Sequence, residues 1–493
     1  MELKIKFLKW SAGLPVAMLN EKTAKEMGLH AQDMISIKTL SRNPKEVATI
    51  IDVIKGLIKP NEVAVSSELR THLGVKSGET IEVNMMSPPK SMDYIKKKMD
   101  NKTLSAKEMD SIIKDIVNNS LSDSEIALFI SSMDQNGMTM EEIIHLIEAI
   151  KKTGAQMKFK SKFVVDKHSI GGVPGNRTTP LVVAICAATG LLFPKTSSRA
   201  ITSPAGTADV IETIARVEYT MPQIKKIVQK VGACIVWGGA VGMVPADSKI
   251  IRIEKSLRID PPAQLLASIM SKKLAAGSKY ILIDIPYGRG AKVDKKEALK
   301  IKRKFNYLGK YFKRKIECVL TDGTQPIGNG IGPALELKDI ILILDPNKDG
   351  PKDLEKKSIF LSGKILEMTG KAKKGRGEMI ATEILISGKA FEKFKDIIKA
   401  QSGSLKKLEK TGLTHDILSK KSGKVYMIEN KKISSLARAA GCPIDKFSGV
   451  YLHVHVGDKV KKGEKIITLH AESKARLNEA IKYYEKLKPI KIK

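Results

Sequence analysis

Cysteine is scarce in this chain of 493 residues: Cys186, Cys234, Cys318 and Cys442 are its only four, and they stand far apart. No C-x-x-C pair occurs, which excludes a zinc ribbon or a disulfide scaffold and leaves buried thiols in a reducing cytosol as the expectation. Long apolar runs are missing as well. The longest, Leu181 to Ala188, falls far short of the roughly 20 residues a membrane helix needs. The opening Met1-Glu2-Leu3-Lys4-Ile5-Lys6 lacks the apolar core of a signal peptide. A soluble, cytoplasmic protein is expected.

Acidic residues are in the minority, 53 against 86 Lys and Arg, and the net charge of +33 raises the idea of a polyanionic partner. The densest stretch, Lys302 to Lys315, holds seven basic residues and no acid, with Phe305, Tyr307, Tyr311 and Phe312 as stacking candidates. Charge runs are more often solvated helix faces than binding patches, so the first reading is a lysine-rich face. Hydrophobic residues at 42% and charged residues at 28% exclude a disordered chain. At roughly 150 residues per domain, the length predicts about three domains with real cores.

Residues 1–86 show short β-branched runs at Val47–Ile54, Val63–Ser66 and Thr80–Val83, separated by turn signals, and read as a small, mostly β domain. Beyond Ser87-Pro88-Pro89 the periodicity becomes helical, with capping boxes Ser105-x-x-Glu108, Ser122-x-x-Glu125 and Thr139-x-x-Glu142 ahead of three apolar-periodic runs. From Lys162 strands and helices alternate: strands at Phe163–Val165, Leu191–Phe193, Cys234–Trp237, Ile281–Ile285 and Glu317–Leu320, helices at Pro180–Ala188 and from Pro222 to Gly232. That alternation predicts an α/β domain with a largely parallel sheet, interrupted by a helical insert at Ser248–Ala276. The last residues return to short strands, with Val456–Glu464 as a turn.

Two loops carry the candidate chemistry. The first, Asp166-Lys167-His168-Ser169-Ile170-Gly171-Gly172-Val173-Pro174-Gly175-Asn176-Arg177-Thr178-Thr179, runs from a strand end to a helix start. Its glycines let the backbone approach an oxyanion, and Lys167, Ser169 and Thr179 add donors, so the loop reads as a phosphate or carboxylate cradle. Its spacing is neither a Walker A motif nor a dinucleotide fingerprint. The second, Thr196 to Asp209, surrounds Arg199 with small hydroxyl residues after another strand. Both could meet one polar ligand. His453 and His455 with nearby His470 lack a carboxylate partner and read as packing residues, so no metal is expected.

Together K-H-S-x-G-G-V at Lys167–Val173 and S-x-R-x-(6 or 7)-G-T-x-D-x-x-E from Ser197 to Glu212 resemble the class II nucleoside phosphorylases, the family of thymidine and pyrimidine nucleoside phosphorylases. The likeness continues through Ala267–Ala275, Gly332-Pro333-Ala334-Leu335-Glu336 and the Val456–Gly463 turn. It implies a helical domain plus a mixed-sheet α/β domain, here with an N-terminal mostly β domain and a C-terminal α+β domain. The implied boundaries are 1–86 for the β domain, 87–160 with 245–277 for the helical and dimerisation domain, 161–244 with 278–405 for the α/β phosphate-binding domain, and 406–493 for the last. Pyrimidine-specific members carry G-G-V-G-D and a base-reading Arg-Asp pair. Here the loop is G-G-V-P-G-N, and Ile253 and Glu254 occupy the reader positions. The wording is instead similar to the archaeal AMP phosphorylase branch, whose members release adenine from AMP with inorganic phosphate and form ribose 1,5-bisphosphate.

Carried over by position, the resemblance implies AMP contacts at Gly172, Ser198, Arg199, Ala200, Ile201, Thr202, Ser203, Thr207, Ser268 and Lys292, with Asp260 as proton donor. A departing adenine needs that proton, and an acid working near pH 7 is expected to be partly buried with a raised pKa. Asp260 could also cap the helix that Pro261-Pro262 opens. Lys167, His168, Ser169, Thr179 and Lys272 are the further phosphate or base contacts; Ser268 and Lys272, four apart, share a helix face. Lys167, Arg177, Arg199, Lys272 and Lys292 are the available cations. AMP, other nucleoside monophosphates and phosphate are the expected ligands, with no cofactor beyond cosubstrate phosphate, a homodimer or larger homo-oligomer as assembly, and no membrane or nucleic-acid partner. The alternatives are a pyrimidine nucleoside phosphorylase, and an inactive homologue that binds RNA or another polyanion.

Overall fold

The computed structural model describes residues 1–8, 15–86, 88–200, 203–406 and 412–493. The chain forms two compact units, Met1–Thr153 with Val244–Ser268, and Gly154–Met243 with Ile269–Lys493.

In the first unit, strands Glu2–Lys6, Val16–Asn20, Met34–Thr39, Glu46–Ile54, Glu62–Val65 and Thr80–Met85 close a barrel, the sixth pairing antiparallel with the first. Alternation fills it: Leu3 and Ile5 point inward between exposed Glu2 and Lys4, joining Leu19, Ile35, Ile37, Ile51, Val63, Ile81 and Val83 in one core. Helices Ser91–Met99, Ala106–Val117, Asp123–Asn136 and Met140–Lys152 follow. All three expected capping boxes are made in full, side chain to backbone in both directions. Glu142 does more than cap: its Oε1 accepts from Lys98 Nζ at 2.8 Å and from Leu104 N at 3.1 Å, with both charged side chains buried. The inserted helix Pro245–Leu257 is tied to the same layer by Lys249, whose Nζ donates to the carbonyls of Ile116 and Val117 at the end of the second helix, 2.8 Å each.

The second unit is built on parallel strands. Val165–Ser169 pairs with Tyr280–Tyr287, which pairs with Lys315–Asp322, while Phe193–Ser197 pairs with Ala233–Trp237. A parallel bridge from Val164 to Leu192 connects the two groups. Two strands run further than their apolar residues suggested, since Val165–Ser169 and Phe193–Ser197 replace the expected Phe163–Val165 and Leu191–Phe193. The reason is that strand ends next to a polar site carry polar residues, so hydrophobicity stops before the hydrogen bonding does. Helix Thr178–Ala188 is apolar from Pro180 onward and buried from Thr178 to Ala187, packing with Pro333–Leu344, Lys352–Thr369, Gly377–Ile386 and Lys389–Ala400 around one core.

The Lys302–Lys315 run falls mostly on helix Lys295–Tyr311, which buries Ala298, Ile301, Phe305 and Leu308 and exposes Lys300, Arg303 and Lys310. This is the solvated face. The C-terminal segment has its own core, including Val425, Leu436, Val450, Leu452 and Ile467. Its Val456–Glu464 stretch is more than a turn: Lys459–Val460 forms a short strand on Gly423–Ile428. His453 Nε2 lies 2.7 Å from Thr468 Oγ1 and His455 Nε2 lies 3.0 Å from Asn329 Oδ1, so each is engaged locally. All four cysteines are free and buried, and no helix among the described residues is long and apolar enough to cross a membrane.

Candidate active site

The first loop begins inside the sheet. Lys167 and His168 stand on the strand itself, opposite Leu282 and Ile283, and Ser169 is opposite Asp284. Lys167 is buried and donates from Nζ to Thr178 Oγ1 at 2.7 Å; Thr178, rather than Thr179, is its partner. Burial pushes the Lys167 pKa down to about 7, opposed by Asp284 and reinforced by Lys357, Lys195 and Arg177. His168 is driven well below the usual imidazole range by burial and then by the surrounding lysines, Lys273 and Lys195 first. A neutral ring can accept a hydrogen bond or donate one, but it is no cationic acid. Ser169 Oγ accepts from Asn176 Nδ2 at 3.3 Å.

Beneath this strand lies a set of buried charges. Asp166 is fully buried between Lys195 at 3.2 Å and Lys273 at 2.8 Å. Asp284, equally buried, meets Lys357 at 3.2 Å and accepts from Thr321 Oγ1 at 2.6 Å. Burial opposes ionisation of Asp284, yet Lys357 and Lys167 outweigh it and hold its pKa below the ordinary value. None of Asp166, Lys195, Lys273, Asp284 and Lys357 was assigned a role from sequence. A signal was present for Asp284: a charge inside the otherwise apolar run Ile281–Ile285 must find a partner when buried.

The second loop is held from within. Asp209 Oδ2 accepts from the backbone N–H of Ala200 at 2.6 Å and of Gly206 at 2.8 Å, closing the segment upon itself. Arg199, one of the available cations, is engaged by carboxylates of the protein itself. It donates to both oxygens of Glu212, at 2.5 and 2.6 Å, and to Glu218 at 2.9 Å, and stacks 4.7 Å above the Trp237 ring. Glu212 is held down to about 2, chiefly by Arg199 and with help from Lys446. Ser198 is exposed, Ala200 half-buried, and Ser203 Oγ donates to Ala205 O at 3.1 Å; Ile201 and Thr202 lie outside the described residues. Thr196 Oγ1 and Ser197 Oγ are buried without a hydrogen-bond partner, as is Asn176 Oδ1.

A third loop follows strand Tyr280–Tyr287 and carries Lys292, which is exposed. Gly172 brings the first loop to it: at φ +90°, an added Cβ would stand 2.7 Å from Lys292 N. Asn430, a residue the sequence reading passed over, anchors this loop by donating to Gly323 O at 2.8 Å and Gly290 O at 3.3 Å.

Asp260 and Ser268 belong to the first unit, while the three loops belong to the second. Ser268 and Lys272 are half-buried on helix Pro262–Ala275. Asp260 is exposed, a correction to the expected partial burial. The helix begins at Pro262 and Leu265 N bonds to Pro261 O, so Pro261 holds the N-cap position and Asp260 precedes it. Ile253 is buried in helix Pro245–Leu257, its apolar side chain being part of the packing there.

Three family models match in chain order: the glycosyl transferase family helical bundle domain over residues 92–154, the glycosyl transferase family a/b domain over 161–391, and the pyrimidine nucleoside phosphorylase C-terminal domain over 424–491. This succession defines a glycosyl transferase of the nucleoside phosphorylase class. Among curated relatives, AMP phosphorylase of Pyrococcus horikoshii is 47% identical over 100% of this chain and 98% of its own length. AMP phosphorylase of Methanococcus aeolicus is 42% identical over 99% and 97%. The chain belongs to the AMP phosphorylase family. A putative thymidine phosphorylase of Legionella pneumophila is 42% identical over 88% of this chain and 84% of its own. Anthranilate phosphoribosyltransferase of Thermus thermophilus shares the fold, with a TM-score of 0.53 at 16% identity over 63% of this chain and 99% of that one.

Proposed function

We propose that this chain is a nucleoside 5′-monophosphate phosphorylase that converts AMP and inorganic phosphate to adenine and ribose 1,5-bisphosphate, accepts CMP and UMP as well, and serves nucleotide breakdown and salvage. The observation that carries this reading is the charge balance at the strand ends. Lys167, Arg177, Lys195, Lys273 and Lys357 pair with Asp166, Asp284 and Glu336, an excess of cations beside buried hydroxyls that suits phosphate oxygens. Similarity to archaeal AMP phosphorylases over the whole chain supports the nucleotide as substrate. The buried Ile253, where pyrimidine-specific members carry a base-reading pair, speaks against a pyrimidine nucleoside phosphorylase.

In the proposed reaction a phosphate oxygen forms a bond to C1′ of the ribose while the glycosidic C–N bond breaks. Its electron pair passes to the base, which takes a proton from Asp260. Acid catalysis of this type contributes about 10²–10⁴ in rate. Lys167 and the first-loop amides hold phosphate, Ser268, Lys292 and the Ser198–Ser203 segment hold the nucleotide, and Thr207 serves a phosphate oxygen as well as the nucleotide. The reaction uses no cofactor besides phosphate. A cytosolic homodimer or larger homo-oligomer, with no nucleic-acid partner, completes the reading.

The test is release of free base from AMP, CMP, UMP, adenosine and thymidine, each with and without phosphate. Phosphate-dependent release from the nucleotides alone supports the proposal. Turnover of thymidine alone supports the pyrimidine alternative, and absence of any turnover leaves polyanion binding as the better account.

A further inference from the structure

We propose that Arg177 is a positioning residue of the phosphate site: it fixes the second loop against the first and turns the Thr207 hydroxyl into a dedicated hydrogen-bond donor for a ligand oxygen. The inference rests on the phosphorolysis reading above and adds a residue and a role to it.

Arg177 ends the first loop, immediately before helix Thr178–Ala188. Its guanidinium reaches three separate places. Nε donates to Glu336 Oε2 at 2.6 Å, one terminal nitrogen donates to Thr207 Oγ1 at 2.9 Å, and the other donates to Ala205 O at 2.7 Å. The planar fork presents donors on three separate nitrogens in fixed directions, whereas an ammonium carries its three donors on one nitrogen and cannot span the same three acceptors in this geometry. Glu336 is 1% exposed and completes the arrangement by accepting from Gly332 N through its other oxygen, at 3.3 Å. Burial raises its pKa above the ordinary carboxylate value and Arg177 offsets that only in part, so removing Arg177 would leave the carboxylate buried without its cation.

Thr207 is the consequence. A hydroxyl has one hydrogen to give and lone pairs to receive. With Arg177 supplying a hydrogen to Oγ1, the Thr207 O–H is directed elsewhere, and no protein acceptor takes it among the described residues. Thr207 is buried and opens the short helix Thr207–Glu212. Asp209, two residues on, already restrains Ala200 and Gly206, so Arg177 supplies the remaining constraint: it sets where the closed loop sits relative to Lys167 and Thr178.

The experiment compares Arg177→Lys, Thr207→Val, Thr207→Ser and the double variant Arg177→Lys/Thr207→Val. Both KM for phosphate in AMP cleavage and binding of inorganic phosphate alone by calorimetry are read. Arg177→Lys and Thr207→Val are each expected to weaken phosphate roughly ten- to hundredfold, with a smaller change in kcat. The double variant is expected to be no worse than its weaker parent, and Thr207→Ser to stay near wild type. In a fifth variant, Arg177→Ala, added guanidinium is expected to restore part of the lost affinity, and to restore none in Thr207→Val. Additive losses, an unchanged phosphate affinity in Arg177→Lys, or equal losses in Thr207→Ser and Thr207→Val overturn the proposal. If the Arg177 variants do not fold, the Ser and Val variants at 207 still decide it. If wild type binds phosphate but does not cleave AMP, the phosphorylase reading fails while calorimetry still tests Arg177.

Discussion

Gly172 and Lys292 touch through their backbones: a Cβ placed on Gly172 would lie 2.7 Å from the nitrogen of Lys292 and 2.8 Å from its Cβ. Two loops that follow different strands of one sheet are thus in register only because residue 172 has no side chain. Its φ of +90° adds a second demand that L-residues meet poorly. For Gly172→Ala the expected result is a loss of about 1–3 kcal/mol in stability from backbone strain. A larger effect is expected on kcat/KM for AMP, because relief of the clash displaces Lys292. Thermal unfolding and steady-state kinetics on the same preparation check both.

Lys167 gives the site a pH dependence with a definite sign. Its pKa is pushed down to about 7 by burial, so above that pH the ligand-free protein has lost the proton. An incoming phosphate anion favours the charged form, and binding therefore takes up a proton. Phosphate affinity is expected to fall as pH rises from about 7 towards the ordinary lysine value of about 10. Calorimetry in buffers of different ionisation enthalpy reads the uptake directly. Lys167→Met is expected to bind phosphate weakly and without this slope.

Glu142 concentrates three duties in one carboxylate, capping the helix Met140–Lys152, pairing with Lys98 and accepting from Leu104 N. Burial raises its pKa, but Lys98 and the two backbone donors outweigh that and leave it below 4.5. Because the folded pKa is lowered, this stabilisation is present above the unfolded value and disappears as pH falls through the folded one. Glu142→Ala, which strands a buried Lys98, is expected to cost about 3–5 kcal/mol. Hydrogen exchange across residues 91–152, measured against pH, checks the magnitude and the direction.

Local signals in the sequence were reliable where the physics is local. The capping boxes at Ser105, Ser122 and Thr139 each form both of their hydrogen bonds, and the glycines at 172 and 206 stand where backbones approach closely. What escaped was set by distant partners. Barrel closure depends on pairing Glu2 with Glu82, which no local pattern encodes. Glu212 belonged to a visible motif, but only the fold shows that it consumes the charge of Arg199. Asp166 could be seen as a charge at a strand end and Asp284 as one within a strand, while their partners Lys273 and Lys357 come from helices about 107 and 73 residues away in the chain. Asp260 was expected to be sheltered because the chemistry asks for a raised pKa, and a requirement of catalysis is not a packing force in the ligand-free chain.

The most direct test of the account is adenine release from AMP, followed with and without inorganic phosphate, by wild type and by Asp260→Asn. The account expects release by wild type only when phosphate is present, a drop of about 10²–10⁴ in kcat for the variant, and unchanged binding of phosphate alone. Release that ignores phosphate, or a variant that works at the wild-type rate, would contradict it.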